Sequence, residues 1–257
     1  MSRSGGDDTA GPRWSGAALL RPGVLAFNGS IGTTGAHAHH AVQIITATTA
    51  LTVLDEHGAR HTGTKVVVPA DAPHRIEVGA EEGTVVFLEP ESTLGRSAHL
   101  RAVNSGWAVT PALTQTRRRP LAAVVTEMVE HLVPAPAADD VPPPRHPAVI
   151  HALQVLPELV AAGPVTGTGL AARVGLSASR LTHLFTEQVG IPLRRYVLWS
   201  RLQIAITRVR AGDDLTGAAH GAGFADSAHL TRTTREMFGL PPSVLSRHVS
   251  WDLDSIG

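Results

Sequence analysis

The spacing of apolar positions divides the chain into two textures. Residues 15–110 carry short runs rich in β-branched residues: Val42–Thr46, Leu51–Leu54, Lys65–Pro69, Arg75–Val78 and Thr84–Leu88. Turn material separates them at Asp55–Gly58, Asp71–Pro73 and Glu81–Gly83. Regular short strands with little helix between them predict a small sandwich or barrel. The period then changes. Leu121, Val124, Val125, Met128 and Leu132 draw one apolar stripe at helical spacing, so Leu121–Leu132 is predicted as a helix. Beyond residue 147 the pattern is helical throughout, over Ala148–Ala162, Gly169–Gly175, Ala178–Val189, Leu193–Ala211, Leu215–Ala222 and Ser227–Phe238. Between the two textures, six of the fifteen residues Val133–Pro147 are proline, which reads as a semi-rigid linker. The predicted fold class is α+β and multidomain. A β domain spans 15–110, a helical segment that could dimerise 111–132, the linker 133–147, and an all-α domain 148–250.

Composition narrows the class. An apolar share of 43% supports a folded core and excludes a wholly disordered chain. The absence of cysteine excludes a disulfide scaffold, a thiolate zinc site and a cysteine nucleophile. No apolar run approaches the roughly 18 residues of a membrane span, and Met1–Pro12 lacks the apolar stretch of a signal peptide. The expectation is a cytoplasmic protein with no membrane partner. The net charge of zero is unevenly spread: residues 1–147 hold 12 basic and 14 acidic groups, and residues 148–250 hold 10 arginines and 6 acids. A basic C-terminal half is compatible with a polyanion.

That half contains an internal duplication. LAARVGLSASRLTHLFTEQVGIP (170–192) and AAHGAGFADSAHLTRTTREMFGLPP (218–242) align Gly175 with Gly223, Leu181 with Leu230, Gly190 with Gly239 and Pro192 with Pro241. Each copy has a short helix with a small residue at the crossing (Ala171, Ala219), a glycine, a candidate N-cap (Ser177, Asp226) and an amphipathic helix ending at Gly-apolar-Pro. This is the layout of a helix-turn-helix, whose second helix enters the DNA major groove. Leu193–Ala211 joins the copies. Its 19 residues give a rod of roughly 29 Å, close to the ~34 Å between successive major-groove faces. Its arginines 194, 195, 201, 208 and 210 lie mostly off the apolar stripe, where they can meet phosphates or acids.

Over roughly 100 residues this region resembles the AraC/XylS family of bacterial transcription regulators. LAARVGLSASRLTHLFTEQVGIPLRRYV and GAGFADSAHLTRTTREMFGLPPSVLSR carry the resemblance. It implies base-facing side chains at Ser179, Thr182 and His183 on the first recognition helix, with Arg180 near the groove edge. On the second it implies Ser227, Ala228, Thr231 and Arg232. Arg232 is the best candidate for a bidentate guanine contact. Two departures bear on the second unit. Thr234 stands where the family usually has an aromatic, and Gly217 and Gly221 replace better helix formers at about 1 kcal/mol each. The second helix-turn-helix is therefore expected to be the looser one.

In the β domain, His37, His39 and His40 fall in GAHAHHAVQ, followed by Gln43 and, in PADAPHRI, His74. Alternate strand residues share a face, so His37 and His39 point together. The pattern resembles the cupin barrel, in which Gln43 takes the place of a frequent Glu and His74 that of the third His. The resemblance implies an effector pocket formed by His37, His39, Gln43 and His74. It leaves open a divalent metal there, for which three imidazoles suit zinc, nickel, copper or iron, or histidines kept for internal hydrogen bonds alone. His57, His61, His99 and His131 lack such spacing and read as surface residues, and Arg117–Arg119 as a solvated basic run.

Together these features predict a non-enzymatic, sequence-specific DNA-binding transcription regulator. Double-stranded DNA and a small-molecule effector would be its partners, and a homodimer is open. Two rivals remain. A metal-dependent cupin enzyme would need a carboxylate beside the histidines, for which Asp71 is the near candidate. A constitutive regulator would use its cupin only as a scaffold.

Overall fold

Alternation along the strands builds the first half of the molecule. The computed structural model describes residues 13–108, 121–132, 145–244 and 249–251. Six strands follow one another: β1 (Ser15–Arg21), β2 (Val24–Ile31), β3 (Val42–Asp55), β4 (Arg60–Val68), β5 (His74–Val78) and β6 (Ala80–Leu88). They form one sheet in the order β4-β3-β6-β2-β1, with β5 pairing β3. All of these pairings are antiparallel. Ile44, Val67, Val86, Ala26 and Leu19 fall on one face, and their neighbours Ile45, Val66, Val85, Phe27 and Ala18 on the other. That is the period of two on a sheet buried on both sides. The 14-residue β3 is the corner: its register against β4 shifts between Thr46 and Leu51, its first half pairs β6 and its second half β5. Among the described residues the hydrogen-bonded path does not close, so in place of the expected barrel stands an open, cupin-like sheet.

A helix unread in the sequence, α1 (Thr93–Ser105), covers one face. Ser92 caps it by accepting from the Gly95 amide, and its small residues Ala98 and Ala102 let it approach the sheet closely. The predicted helix α2 (Leu121–Leu132) joins it through Leu121, Val125 and Met128. Leu121, Val125 and Met128 of the stripe that could dimerise pack on the chain's own sheet, which removes their apolar surface from water. The linker before residue 145, the Arg117–Arg119 run and the His131 side chain lie outside the described residues.

The second half is all helix: α3 (Pro147–Ala162), α4 (Gly167–Arg173), α5 (Ala178–Val189), α6 (Leu193–Arg210), α7 (Leu215–Gly221) and α8 (Ser227–Phe238). α3 to α5 enclose one core of Val149, Leu156, Leu170, Leu181 and Phe185, and α6 contributes Leu193 to it. α6 then runs for 18 residues, about 27 Å, and with α7 and α8 encloses a second core of Trp199, Leu202, Phe224, Leu230 and Phe238. That second core also includes Ala41, with Leu20, Leu25 and Phe87 of the sheet packed against it. A short strand, β7 (Val249–Trp251), pairs in parallel with β1, returning the chain to the sheet it began from.

Candidate functional site

Each recognition helix is fixed at both ends by local chemistry. In α5, Ser177 accepts from the Arg180 amide and Gly190 ends the helix in the left-handed region at φ 93°. In α8, Asp226 accepts from the His229 amide at 2.6 Å and Gly239 ends the helix at φ 68°. These are the two caps and two stops expected from the repeat. The inward faces are apolar in α5 (Leu181, Leu184, Phe185, Val189) and mixed in α8 (Leu230, Thr233, Thr234, Met237, Phe238).

The outward faces carry the expected base-facing residues. Ser179, Arg180, Thr182 and His183 are all exposed on α5. On α8, Ala228 and Arg232 are exposed, and Ser227 and Thr231 are half-buried. The Thr182 hydroxyl donates to the Ala178 carbonyl and that of Thr231 to the Ser227 carbonyl, so both are engaged within their own helices. Two of the α6 arginines have partners within the chain, one in the sheet domain and one an acid of the kind expected for them. Arg195 donates to the Ala38 carbonyl of the sheet domain at 2.8 Å, and Arg208 pairs with Asp213 at 2.8 Å. The Arg208 side chain also lies over Gly221, where a Cβ would displace its flexible guanidinium end.

The sheet domain brings His37, His39, Gln43 and His74 together, all buried. His37 and His74 exchange backbone hydrogen bonds at 2.9 Å. The ring centroids of His37 and His74 are 4.1 Å apart, and those of His39 and His74 5.0 Å. One potential ligand atom from each of the three rings lies within 4.8 Å of the others. Every Nδ1 faces a backbone carbonyl: Gly35 for His37, Ala41 for His39 and Ala72 for His74, at 2.8, 2.9 and 2.8 Å. Gln43 Oε1 lies 2.8 Å from His74 Nε2 and 3.3 Å from His39 Nε2. Burial keeps all three rings neutral: it lowers His37, takes His39 down to about 3 with help from neighbouring His37, and holds His74 well below the usual imidazole range.

His40, one residue on, has the opposite chemistry. Its Nδ1 bonds Asp71 at 2.8 Å and its Nε2 bonds Glu91 at 3.0 Å. Burial alone would lower its pKa, but the two carboxylates outweigh burial and raise it to about 9. Asp71 sits in the left-handed region at φ 64°, an uncommon place for a side chain with a Cβ, and holds the His39 carbonyl through its own amide. It therefore serves His40 and not the three-histidine cluster. No local signal announces this triad, because Asp71 and Glu91 lie 31 and 51 residues from His40. Two histidines read as surface residues are otherwise placed: His61 stacks on Trp107 at 4.5 Å and bonds Asp55, and His99 is half-buried.

The histidine cluster abuts the second helix-turn-helix. Gly35 donates to the Gly239 carbonyl and Ala38 to that of Glu236. Phe238 packs on Phe87 at 5.4 Å, and the His39 and Phe238 ring centroids are 6.2 Å apart. A small cavity of about 50 Å³ lies here, lined by His37, Gln43, Phe87, Phe238 and Trp251 among others. A second, open cleft of about 1140 Å³ runs between the domains, lined by Glu89, Glu91, Arg96, Arg145, Tyr196 and Gln203 at its polar end and by Ile150, Leu153 and Ile204 elsewhere. Gln203 donates to Glu89 across it at 3.0 Å, and Arg145 lies 3.8 Å from Glu91.

Residues 170–248 match the family model described as a helix-turn-helix domain. They are an AraC-type helix-turn-helix domain. No curated protein matches the chain in sequence. Among solved structures, apo ToxT of Vibrio cholerae strain SCE256, a single-residue variant, is 10% identical, covers 90% of this chain and 99% of its own, and has a TM-score of 0.55. ToxT of strain O395 is 10% identical, with 87% and 96% covered and a TM-score of 0.54. The same protein bound to a naphthalenyl butenoic acid is 11% identical, with 90% and 97% covered and a TM-score of 0.51. The fold of the sheet and the helical half thus recurs along nearly the whole chain. Among the described residues no helix is long and apolar enough to cross a membrane.

Proposed function

We propose that the chain is a DNA-binding transcription regulator whose AraC-type domain reads two successive major-groove faces under the control of a small-molecule effector at the junction of its two domains. The observation that carries this reading is the pair of capped recognition helices with exposed outer faces, joined by the α6 rod. Ser179, Arg180, Thr182 and His183 contact the first half-site, and Ser227, Ala228, Thr231 and Arg232 the second. The short side chains among them give shape and phosphate contacts, while Arg232 supplies direct readout of guanine. Two units in one chain span two grooves, so this reading does not require a dimer. It places the protein in the cytoplasm, where its DNA is.

The open interdomain cleft, at about 1140 Å³, has room for the effector, since small-molecule sites run to roughly 300–1,000 Å³. The ToxT structure with a bound organic acid supports an acidic effector, for which Arg96 and Arg145 would provide the cations and Ile150, Leu153 and Ile204 the apolar wall. The cavity of about 50 Å³ beside the histidines is small for such a molecule, so this reading assigns the organic effector to the cleft. The nearby carboxylates Asp71 and Glu91 are held by His40, which favours a sensor over a cupin enzyme needing a free acid or base.

The test is selection of bound sequences from a random duplex library by the full-length protein. Enrichment of a motif with two half-sites about 10 base pairs apart, weakened by salt and by Arg232→Ala, supports the reading. Retention of DNA with no enriched motif overturns it.

A further inference from the structure

Four acceptor atoms converge in the histidine cluster. A neutral imidazole has one N–H, and in His37, His39 and His74 the backbone carbonyl at Nδ1 takes it. Each Nε2 is left as a lone pair. The lone pairs of His39 and His74 face the carbonyl oxygen of Gln43 at 3.3 and 2.8 Å, where two acceptors repel. A cation among them removes that conflict.

We propose that His37, His39 and His74, through Nε2, and Gln43, through Oε1, hold one divalent first-row transition-metal ion, and that loading it stiffens the loop on which the C-terminal end of α8 hangs. The donor set selects the ion class. Three imidazole nitrogens and one amide oxygen suit zinc, cobalt, nickel or copper, and disfavour calcium or magnesium, which take oxygen ligands. The spacing fits as well. Metal–ligand bonds of about 2.0–2.1 Å in a tetrahedron put ligand atoms about 3.3 Å apart; His39–Gln43 stands at 3.3 Å, His74–Gln43 at 2.8 Å and the histidine atoms within 4.8 Å, so loading needs only small side-chain shifts. The supporting shell is already built. Metal-binding histidines as a rule donate their other ring N–H to a carbonyl or carboxylate, which fixes the tautomer and the ring orientation, and all three do so here.

The mechanical link is short. The amides of Gly35 and Ala38, on either side of His37, donate to the carbonyls of Gly239 and Glu236 at the end of α8. Gly239 has no room for more: a Cβ there would lie 2.5 Å from the Gly35 carbonyl oxygen and 2.7 Å from His37 Nδ1. An ion that pins His37 and His39 therefore pins two of the hydrogen bonds that seat the second recognition helix. This goes beyond the regulator reading and stands without it, because the metal is measured with no DNA present.

The competing arrangement turns the Gln43 amide so that its NH₂ donates to both rings; it predicts no ion. Metal-depleted, untagged full-length protein is dialysed against cobalt(II) and, separately, zinc(II). The expected result is one ion per chain, with the intense visible absorption of tetrahedral cobalt, lost in His39→Ala and His74→Ala. Gln43→Leu keeps cobalt but changes its spectrum, and the exposed His57→Ala changes nothing. Amide hydrogen exchange at Glu236–Leu240 slows on loading. Substoichiometric cobalt in the wild-type chain, or cobalt that none of these variants alters, overturns the site whatever the folding of the alanine variants. Full loading with unchanged exchange at the end of α8 overturns the coupling.

Discussion

The two helix-turn-helix units of this chain share a sequence layout but complete their cores by different means. The first packs α4 and α5 against α3 and the start of α6. Its interior is Leu170, Leu181, Leu184, Phe185 and Val189, all from the helical domain. The second encloses Phe224, Leu230, Met237 and Phe238 and closes with residues of the other domain, Ala41 and Phe87. Where the first unit places a phenylalanine at the centre of its recognition helix, the second buries Thr233 and Thr234. The Thr234 hydroxyl then has to bond back to the Leu230 carbonyl, which makes a polar group tolerable in the core but adds no packing. A helix with that inner face gains its missing apolar neighbours from the sheet. The first unit is thus self-sufficient and the second conditional on the sheet domain.

The largest effect should come from Phe185→Ala. Phe185 is fully buried, and truncating a core phenylalanine costs about 3–5 kcal/mol. It should unfold the first unit, as read by denaturant melts and limited proteolysis, and leave the sheet domain folded. A milder comparison uses the two helix stops. Gly190→Ala and Gly239→Ala both force an alanine into the left-handed region, at about 1–2 kcal/mol, but around Gly190 a Cβ meets nothing within 4 Å. Around Gly239 it strikes the Gly35 carbonyl oxygen and His37. Gly239→Ala should therefore cost more and release α8 from the sheet. Equal destabilisation of the two variants would count against the conditional second unit.

Smaller effects should fall equally on both units. Ser177→Ala and Asp226→Ala each remove one N-cap hydrogen bond, worth about 1 kcal/mol, and thermal melts should show similar losses. Lys65→Met gives a control outside both. Lys65 is buried in β4, and its ammonium is pushed down to about 8, first by burial and then by neighbouring Arg101. Below pH 8 both folded and unfolded chains carry the charge, so the native state bears its whole desolvation cost. Above pH 8 the native state sheds the proton first, and the cost fades toward the ordinary lysine pKa of 10.5. Lys65→Met should thus raise the melting temperature at pH 7, by an amount that shrinks at pH 9 and above, with no change in the difference between the two helix-turn-helix units.

Much of this was legible in the sequence, for reasons specific to particular residues. Ala178–Val189 and Ser227–Phe238 could be read end to end, because Ser177, Asp226, Gly190 and Gly239 are local signals whose action spans a single turn. The cupin-like spacing anticipates the meeting of His37, His39, Gln43 and His74, but strand alternation does not account for it, because His37 and His39 lie in the connection between β2 and β3. What escaped depends on distant partners. The helix Thr93–Ser105 has no strong apolar stripe, since it buries only glycine and alanine. The strand Val249–Trp251 is set by pairing with β1. The charge on His40 depends on Asp71 and Glu91, which only the curl of the sheet brings to it. Thr234 stands in the second core where the family resemblance implies an aromatic, but nothing near it in sequence shows that the sheet supplies apolar neighbours there.

Amide hydrogen exchange in the full-length protein, compared with a Phe87→Ala variant, tests the conditional second unit most directly. Phe87 lies in the sheet and touches Phe238 but no residue of the first unit's core. The variant should lose protection along Leu230–Phe238 while Leu181–Val189 keeps its own. Equal loss in both helices, or none in either, would contradict the account.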